Sequence, residues 1–481
     1  MKKSYYKKVA LAILAAAWFP VGNLRADDAD SGTIAALKAQ IEALSEKVNI
    51  LERKGEINDE NAEAVKKETP VITASDKGFA ITSADKNYSL RMRGLLQVDS
   101  RTFLDDGGIN NNDSFLLRRA RLIFQGSLGK YFDFYLVPEF GGGNASTNAA
   151  TNTSNVSILD AYGVVKFSDA INLQFGKFKS PVGLEQLQSD ANSFFSERSL
   201  ATNLTPNRDI GFQLQGSFLD KTINYAAGIF NGVADNASTQ PNVDFDDEKE
   251  FAGRVFFHPF KTTSIDELQG LGVGFGGSWG NSGDRSNASG TGLTTGYRTD
   301  GQQTFFSYSN VTADGDHYRW SPQGYYYYGP FGFLGEYVVS STDVRGTTGV
   351  LKQTNIENKA WQVAASYVLT GENASYEGVT PRRNFDLKAG TWGAFEIVGR
   401  YGELEIDREA FERGFASTTG ASASGAQAWA GGLNWYLNKN VRVNLSYHET
   451  QFAQVGTNNP SPALVPDQNE KVFITRLQFN F

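Results

Sequence analysis

The chain has 481 residues, 40% apolar and 13% aromatic, with 50 Gly and no Cys. The absence of cysteine excludes disulfide scaffolds, Cys-ligated zinc, iron–sulfur clusters and thiol nucleophiles, and the three histidines, His258, His317 and His448, stand far apart in sequence. A formal net charge of −8 makes the chain a poor binder of nucleic-acid phosphates, and a mean hydropathy of −0.36 excludes a bundle of membrane helices but not a membrane β-barrel, whose strands are apolar on one face only.

Residues 1–26 read as a secretory signal peptide. Lys2, Lys3, Lys7 and Lys8 form its basic start, Val9 to Phe19 its apolar core, and Leu24-Arg25-Ala26 precedes Asp27. Removing it takes away five Lys/Arg and no acid from totals of 45 and 53, so the remaining chain carries 13 more acids than bases.

Residues 31–54 read as a short coiled-coil segment. Ile34, Leu37, Ile41, Leu44, Val48 and Leu51 recur at alternating three- and four-residue spacing, with β-branched side chains at a and Leu at d. A lone helix of about three heptads is marginal in water, so the segment is expected to associate with copies of itself; packing of an amphipathic helix on its own body is the plainer alternative. Residues 55–85, polar and containing Pro70, read as a linker.

From residue 86 to Phe481 the pattern is β throughout, with period-2 alternation in segments of about 8–15 residues. In the last segment Phe473, Thr475, Leu477, Phe479 and Phe481 share one face, and Val472, Ile474, Arg476, Gln478 and Asn480 the other. Very short links at Gly129-Lys130, 168–170, Asp220-Lys221, Gly329-Pro330 and 437–440, with longer ones at 258–270 and 370–391, alternate with long polar stretches. This gives 16 strands, eight long loops and seven turns. Loops sorted by length between the two ends of an even number of strands are the layout of an antiparallel transmembrane β-barrel. Lipid leaves backbone amides no partner, so such strands must close into a tube. Aromatic clusters at Tyr325–Tyr328, Phe331, Phe333 and Trp435-Tyr436 suit interfacial girdles.

Parity then assigns the lumen. If Leu477, Phe479 and Phe481 face lipid, the inward side carries Arg91, Arg93, Leu95, Gln97, Asp99 and Arg101 on the first strand and Arg119, Arg121, Ile123 and Gln125 on the second. Arg254, Arg319, Arg400, Arg442, Arg476 and Lys166 also turn inward, against Asp99, Asp160, Asp209, Glu250, Glu336 and Glu396. Eleven inward bases against six inward acids predict a positive lumen, and guanidinium-lined pores select anions. The plainer reading is that these arginines pair with neighbouring acids and fill the interior.

Several segments, in order, resemble the phosphate-selective porins (porin O and P family) of Gram-negative outer membranes. They include Leu90-Arg91-Met92-Arg93-Gly94-Leu95, Leu117-Arg118-Arg119-Ala120-Arg121, Leu159-Asp160-Ala161-Tyr162, Pro181-Val182-Gly183-Leu184-Glu185 and Asn207-Arg208-Asp209-Ile210-Gly211. The resemblance implies a 16-stranded barrel in the outer membrane, a homotrimer, and a third loop, about 178–207, folded into the channel as a constriction, with a short helix within 184–192. It also implies that Arg118 and Arg119 line the narrow zone, with parity favouring Arg119, and that Asp160 is a lumenal acid. Leu95 and Gln186 stand where phosphate-binding members carry an Arg and a Lys.

The expected pore-lining or anion-binding residues are therefore Arg91, Arg93, Arg118, Arg119, Arg121, Asp160, Arg400 and Arg442, serving small anions or other small polar solutes. Phosphate is one such anion. No cofactor or metal is implied; the acidic run 244–250 reads as a solvated loop. Two other functions compete: a tether reaching the cell wall through the coiled coil, and an enzyme, for which His448 beside Glu449, with Ser446 on the same face, is the only hint.

Overall fold

The computed structural model describes residues 31–104, 112–142, 144–146, 149–151, 156–239, 247–282, 293, 296–348, 353–416, 422–453 and 469–481. The predicted signal peptide lies outside them, as does part of the acidic run 244–250. The chain forms two units, residues 1–69 and 70–481.

The described part of the first unit is one helix, α1, Ser31–Glu68. Its seam of Ile34, Leu37, Ile41, Leu44, Val48 and Leu51 is exposed. The helix runs through Gly55, and residues 71–82 form a hairpin, so the linker expected over 55–85 is corrected to helix and sheet. The charged stretch read as linker, Glu56 and Glu60 among its residues, is rich in good helix formers. Pro70 then disfavours helical backbone at the residue before it.

The second unit is a closed, nearest-neighbour antiparallel barrel of 16 strands. They are β1 (Tyr88–Phe103), β2 (Ser114–Leu128), β3 (Phe132–Glu139), β4 (Ser157–Lys166) and β5 (Asn172–Lys179). Next come β6 (Arg208–Phe218), β7 (Ile223–Phe230), β8 (Glu250–Phe257), β9 (Leu271–Ser282), β10 (Val311–Tyr328) and β11 (Phe331–Gly346). The sheet ends with β12 (Gln353–Val368), β13 (Ala394–Glu405), β14 (Gly425–Tyr436), β15 (Val441–Ala453) and β16 (Asn469–Asn480). β16 closes on β1 from Val472↔Phe103 to Asn480↔Leu95.

Closure leaves the first residues of β1 beyond the reach of β16. The hairpin Val71–Ser75/Gly78–Thr82 covers them, pairing Thr82 with Ser89 through Phe79 with Met92. An open edge is thereby paired. Gly78 is required in its turn: φ is +92°, and a Cβ there would lie 2.4 Å from the Met92 carbonyl oxygen. Lys439 Nζ (3.0 Å, to Asp76 Oδ2) and Asn440 Nδ2 (2.8 Å, to Asp76 O) donate from the β14–β15 turn and pin the hairpin.

Parity holds along most strands. Val98, Leu117, Leu477 and Phe479 are exposed on the outer, lipid-facing side, while Gln97, Asp99, Arg476 and Gln478 are buried on the inner. Part of the interior is dry. The β5–β6 loop (180–207, loop 3) places Leu200, Ala201 and Leu204 against Val338, Ile356, Ala360 and the β9–β10 loop residues Tyr297, Phe305 and Phe306. Its Leu184, Phe194 and Phe195 pack on Phe256, Leu334, Ala364, Val398 and Ala430. Strands β11–β14 thus present apolar residues inward as well as polar ones, and loop 3 covers them.

Candidate functional site

Loop 3 begins at Ser180, after β5 ends at Lys179, and its helical turn spans only Leu184–Leu187. That turn is seated on the wall: the backbone amides of Leu184 and Glu185 donate to the Glu336 carboxylate at 2.8 and 3.2 Å. Tyr376, from the β12–β13 connection, supports it by donating to the Leu184 carbonyl at 2.7 Å.

Three loop carboxylates, Glu185, Asp190 and Glu197, meet the wall arginines. Asp190 lies 3.4 Å from Arg119 and 2.7 Å from Arg198, and also pairs with Arg121, which reaches Glu139 at 2.5 Å. Glu197 is 2.6 Å from Arg101, 2.7 Å from Arg118 and 3.2 Å from Arg476, while Asp99 pairs with Arg476 at 2.6 Å and Arg101 at 3.1 Å. Arg400 bridges Glu185 (3.2 Å) and Asp300 of the β9–β10 loop (2.6 Å), with its guanidinium over the Phe195 ring. Away from loop 3, Arg319 pairs with Asp235 at 2.8 Å and Glu250 at 2.9 Å. A buried ion pair must recover the desolvation of both charges, and sharing each carboxylate among several forked guanidiniums achieves this.

Two pKa directions follow. Burial pushes the Asp190 carboxyl up, but Arg119, Arg198, Arg121 and Lys179 together hold it well below the ordinary range. Glu197 behaves alike: burial raises it, and Arg118, Arg101 and Arg476 outweigh that.

All eight sequence-predicted residues lie on barrel strands, but they do not form one site. Arg118, Arg119 and Arg121 converge on loop 3. Parity had favoured Arg119 over Arg118, and the structure corrects this. A bulge sets Gln97 opposite Arg119 but Val98 opposite Leu117, so Arg118 is the extra residue and both arginines reach inward partners. Arg442 donates to the Ser193 carbonyl at 2.9 Å and Arg400 to the Glu197 carbonyl at 3.0 Å, so both anchor loop 3. Arg93 donates to Gln125 at 2.8 Å, and Arg91, half-buried, is nearer the start of β1. Asp160 receives Arg208 at 3.1 Å.

Beside loop 3 is a cavity of about 1110 Å³, bounded by β1–β8 and the loop segment 187–192. Its lining includes Arg93, Arg121, Asp160 and Arg208. The lining holds seven Lys/Arg against four acids. Sequence reasoning missed Glu185, Asp190, Glu197, Lys179 and Arg208. The loop acids were readable: 180–207 contains three acids and one base, and a loop folded into an arginine-lined tube brings its carboxylates to those arginines.

Ser446, His448 and Asp300 are hydrogen-bonded in series, at 3.0 Å to Nε2 and 2.8 Å to Nδ1. All three are essentially inaccessible and Asp300 also holds Arg400. The series fastens the β9–β10 loop to the wall.

A 16-stranded tube with an apolar exterior, a loop folded inward and a charged lumen defines a porin. The model of the phosphate-selective porin O and P family matches residues 90–481, and the chain belongs to that family, whose members are channels of the Gram-negative outer membrane and not enzymes. Porin O of Pseudomonas aeruginosa is 24% identical over 450 residues, covering 85% of this chain and 92% of that one. Among solved structures, the outer membrane channel DcaP of Acinetobacter baumannii shares the fold at 10% identity and a TM-score of 0.50, over 82% of this chain and 98% of that one. OmpT of Vibrio cholerae matches at 15% identity and a TM-score of 0.49, over 85% and 100%.

Proposed function

We propose that this porin is an anion-preferring diffusion channel for small polar solutes, phosphate or similar anions among them. Loop 3 is its constriction, and Arg93 on β1 and Arg121 on β2, which line the cavity, set its selectivity together with Arg118 and Arg119, which pair with loop 3. The observation that carries this reading is the cationic surplus of the cavity lining, seven Lys/Arg against four acids, in a chain whose net charge is negative. Low-dielectric walls focus such a surplus along the path of the ion. Arg400 and Arg442 contribute by holding loop 3. Leu95 and Gln186 are both buried and uncharged, which favours a general anion pore over a phosphate-specific one.

The test is the reversal potential of the reconstituted full chain in a KCl gradient across a planar bilayer. The expected value lies on the chloride side; a value on the potassium side overturns the reading. The exposed apolar seam of α1 supports a further part of the proposal, that copies associate through this helix within a homotrimer whose number of copies the barrels set.

A further inference from the structure

We propose that the solute this cavity is shaped to take is an aromatic carboxylate, a flat ring bearing one carboxylate, in preference to a compact inorganic oxyanion; this rests on the anion-preferring reading above.

The first support is how the cations are engaged. Phosphate is held where several charge-assisted donors converge on one point. Here Arg121 is bound by Glu139 and Asp190, Arg208 by Asp160, and Lys166 by Asp133. Of the lining cations whose hydrogen-bond partners are neutral, Lys179 donates to the Gln188 carbonyl at 2.9 Å and Arg254 to Gln323 at 2.8 Å. Lys179 stands cross-strand from Arg208, whose charge Asp160 engages, while Arg254 and Arg93 stand on other strands, β8 and β1.

The second support is a ring surface in line with Arg93. Arg93 donates to Gln125, Gln125 is the cross-strand partner of Tyr135, and Tyr135 that of Tyr162. A guanidinium, an amide and two phenols thus form a row across β1–β4. The two phenol rings stack at 5.0 Å between centroids and 21° between planes, and both line the cavity. The adjoining inward positions are apolar: Ile123 is opposite Arg93, and Val137 is opposite Asp160. Solvated lumen walls have no need of apolar residues there. A ring lying on this shelf gains offset stacking and removes apolar area from water, with its carboxylate directed to the Arg93 end of the row.

The experiment measures block of the chloride current through the reconstituted full chain by benzoate, acetate and phosphate. Benzoate is expected to half-block at a concentration about tenfold lower than acetate, with phosphate no better than acetate. Joint substitution of Tyr135→Ala and Tyr162→Ala should bring benzoate to the acetate value while the chloride current persists; Arg93→Gln should weaken benzoate and acetate alike. Phosphate blocking at a lower concentration than benzoate overturns the inference, as does a benzoate advantage that survives the double substitution. If the double variant does not insert, the ranking in the unmodified protein decides by itself. A potassium-side reversal potential in KCl alone sinks the anion reading before any organic acid is added. A chloride-side value with benzoate equal to acetate sinks only this inference.

Discussion

Asp190 answers to three guanidiniums at once, so single substitutions around it should act in opposite directions on selectivity. Arg119→Ala removes one positive charge and leaves the carboxylate with Arg121 and Arg198. The barrel should remain folded and the reversal potential should move toward the cation side. Asp190→Asn removes the charge those arginines share and should move it further toward the anion side. It also weakens the docking of loop 3 by about 3 kcal/mol, the scale for a buried ion pair that loses one member, and trypsin should then cut the loop. Equal reversal potentials in both variants would place the selectivity zone elsewhere. The same carboxylates set a pH dependence. Asp190 and Glu197 are held well below the ordinary range by their arginines, despite burial. A depressed folded-state pKa contributes stability above the unfolded value, about 4, that is lost as pH falls through the folded one. The Asp190 and Glu197 ion pairs should therefore persist from neutral pH down to about pH 4 and be released only below that.

The loop as an element carries charge as well as bulk, which reverses a common expectation for constriction deletions. Replacing residues 184–199 by a short Gly/Ser bridge removes Glu185, Asp190 and Glu197 with only Arg198. Conductance should rise, and anion preference should rise with it, because Arg101, Arg119, Arg400 and Arg476 lose their loop counter-charges. A wider but unselective pore would show that the wall arginines do not set selectivity. Strand count, turn positions and inward parity were legible in the sequence because period-2 alternation and link lengths are local properties. The bulge at Arg118 was not: one extra residue changes the face of everything beyond it without altering composition. The hairpin 71–82 was hidden because it stabilises an edge that exists only once β16 has closed on β1. Counting strand charges alone gave a bare arginine ladder, whereas the fold brings acids to it from distant loops.

At the scale of the whole molecule, the barrel explains conduction but α1 has no counterpart in that function. Its six seam side chains are exposed along the helix, a state that association relieves by about 1 kcal/mol per side chain buried. The β-branched a positions with Leu at d nominally favour two strands, so a trimer requires the barrels to set the number of copies and the helix only to reinforce it. Joint Leu37→Asp and Leu44→Asp substitutions should therefore lower the temperature at which trimers dissociate on a semi-native gel, while leaving the melting of the single barrel and the conductance of each pore unchanged. In bilayers the unmodified protein should insert with three conductance steps per unit, and the variant increasingly with one. Trimers of equal heat stability in the variant would show that the helix does not hold copies together, and its apolar seam would then need a different partner.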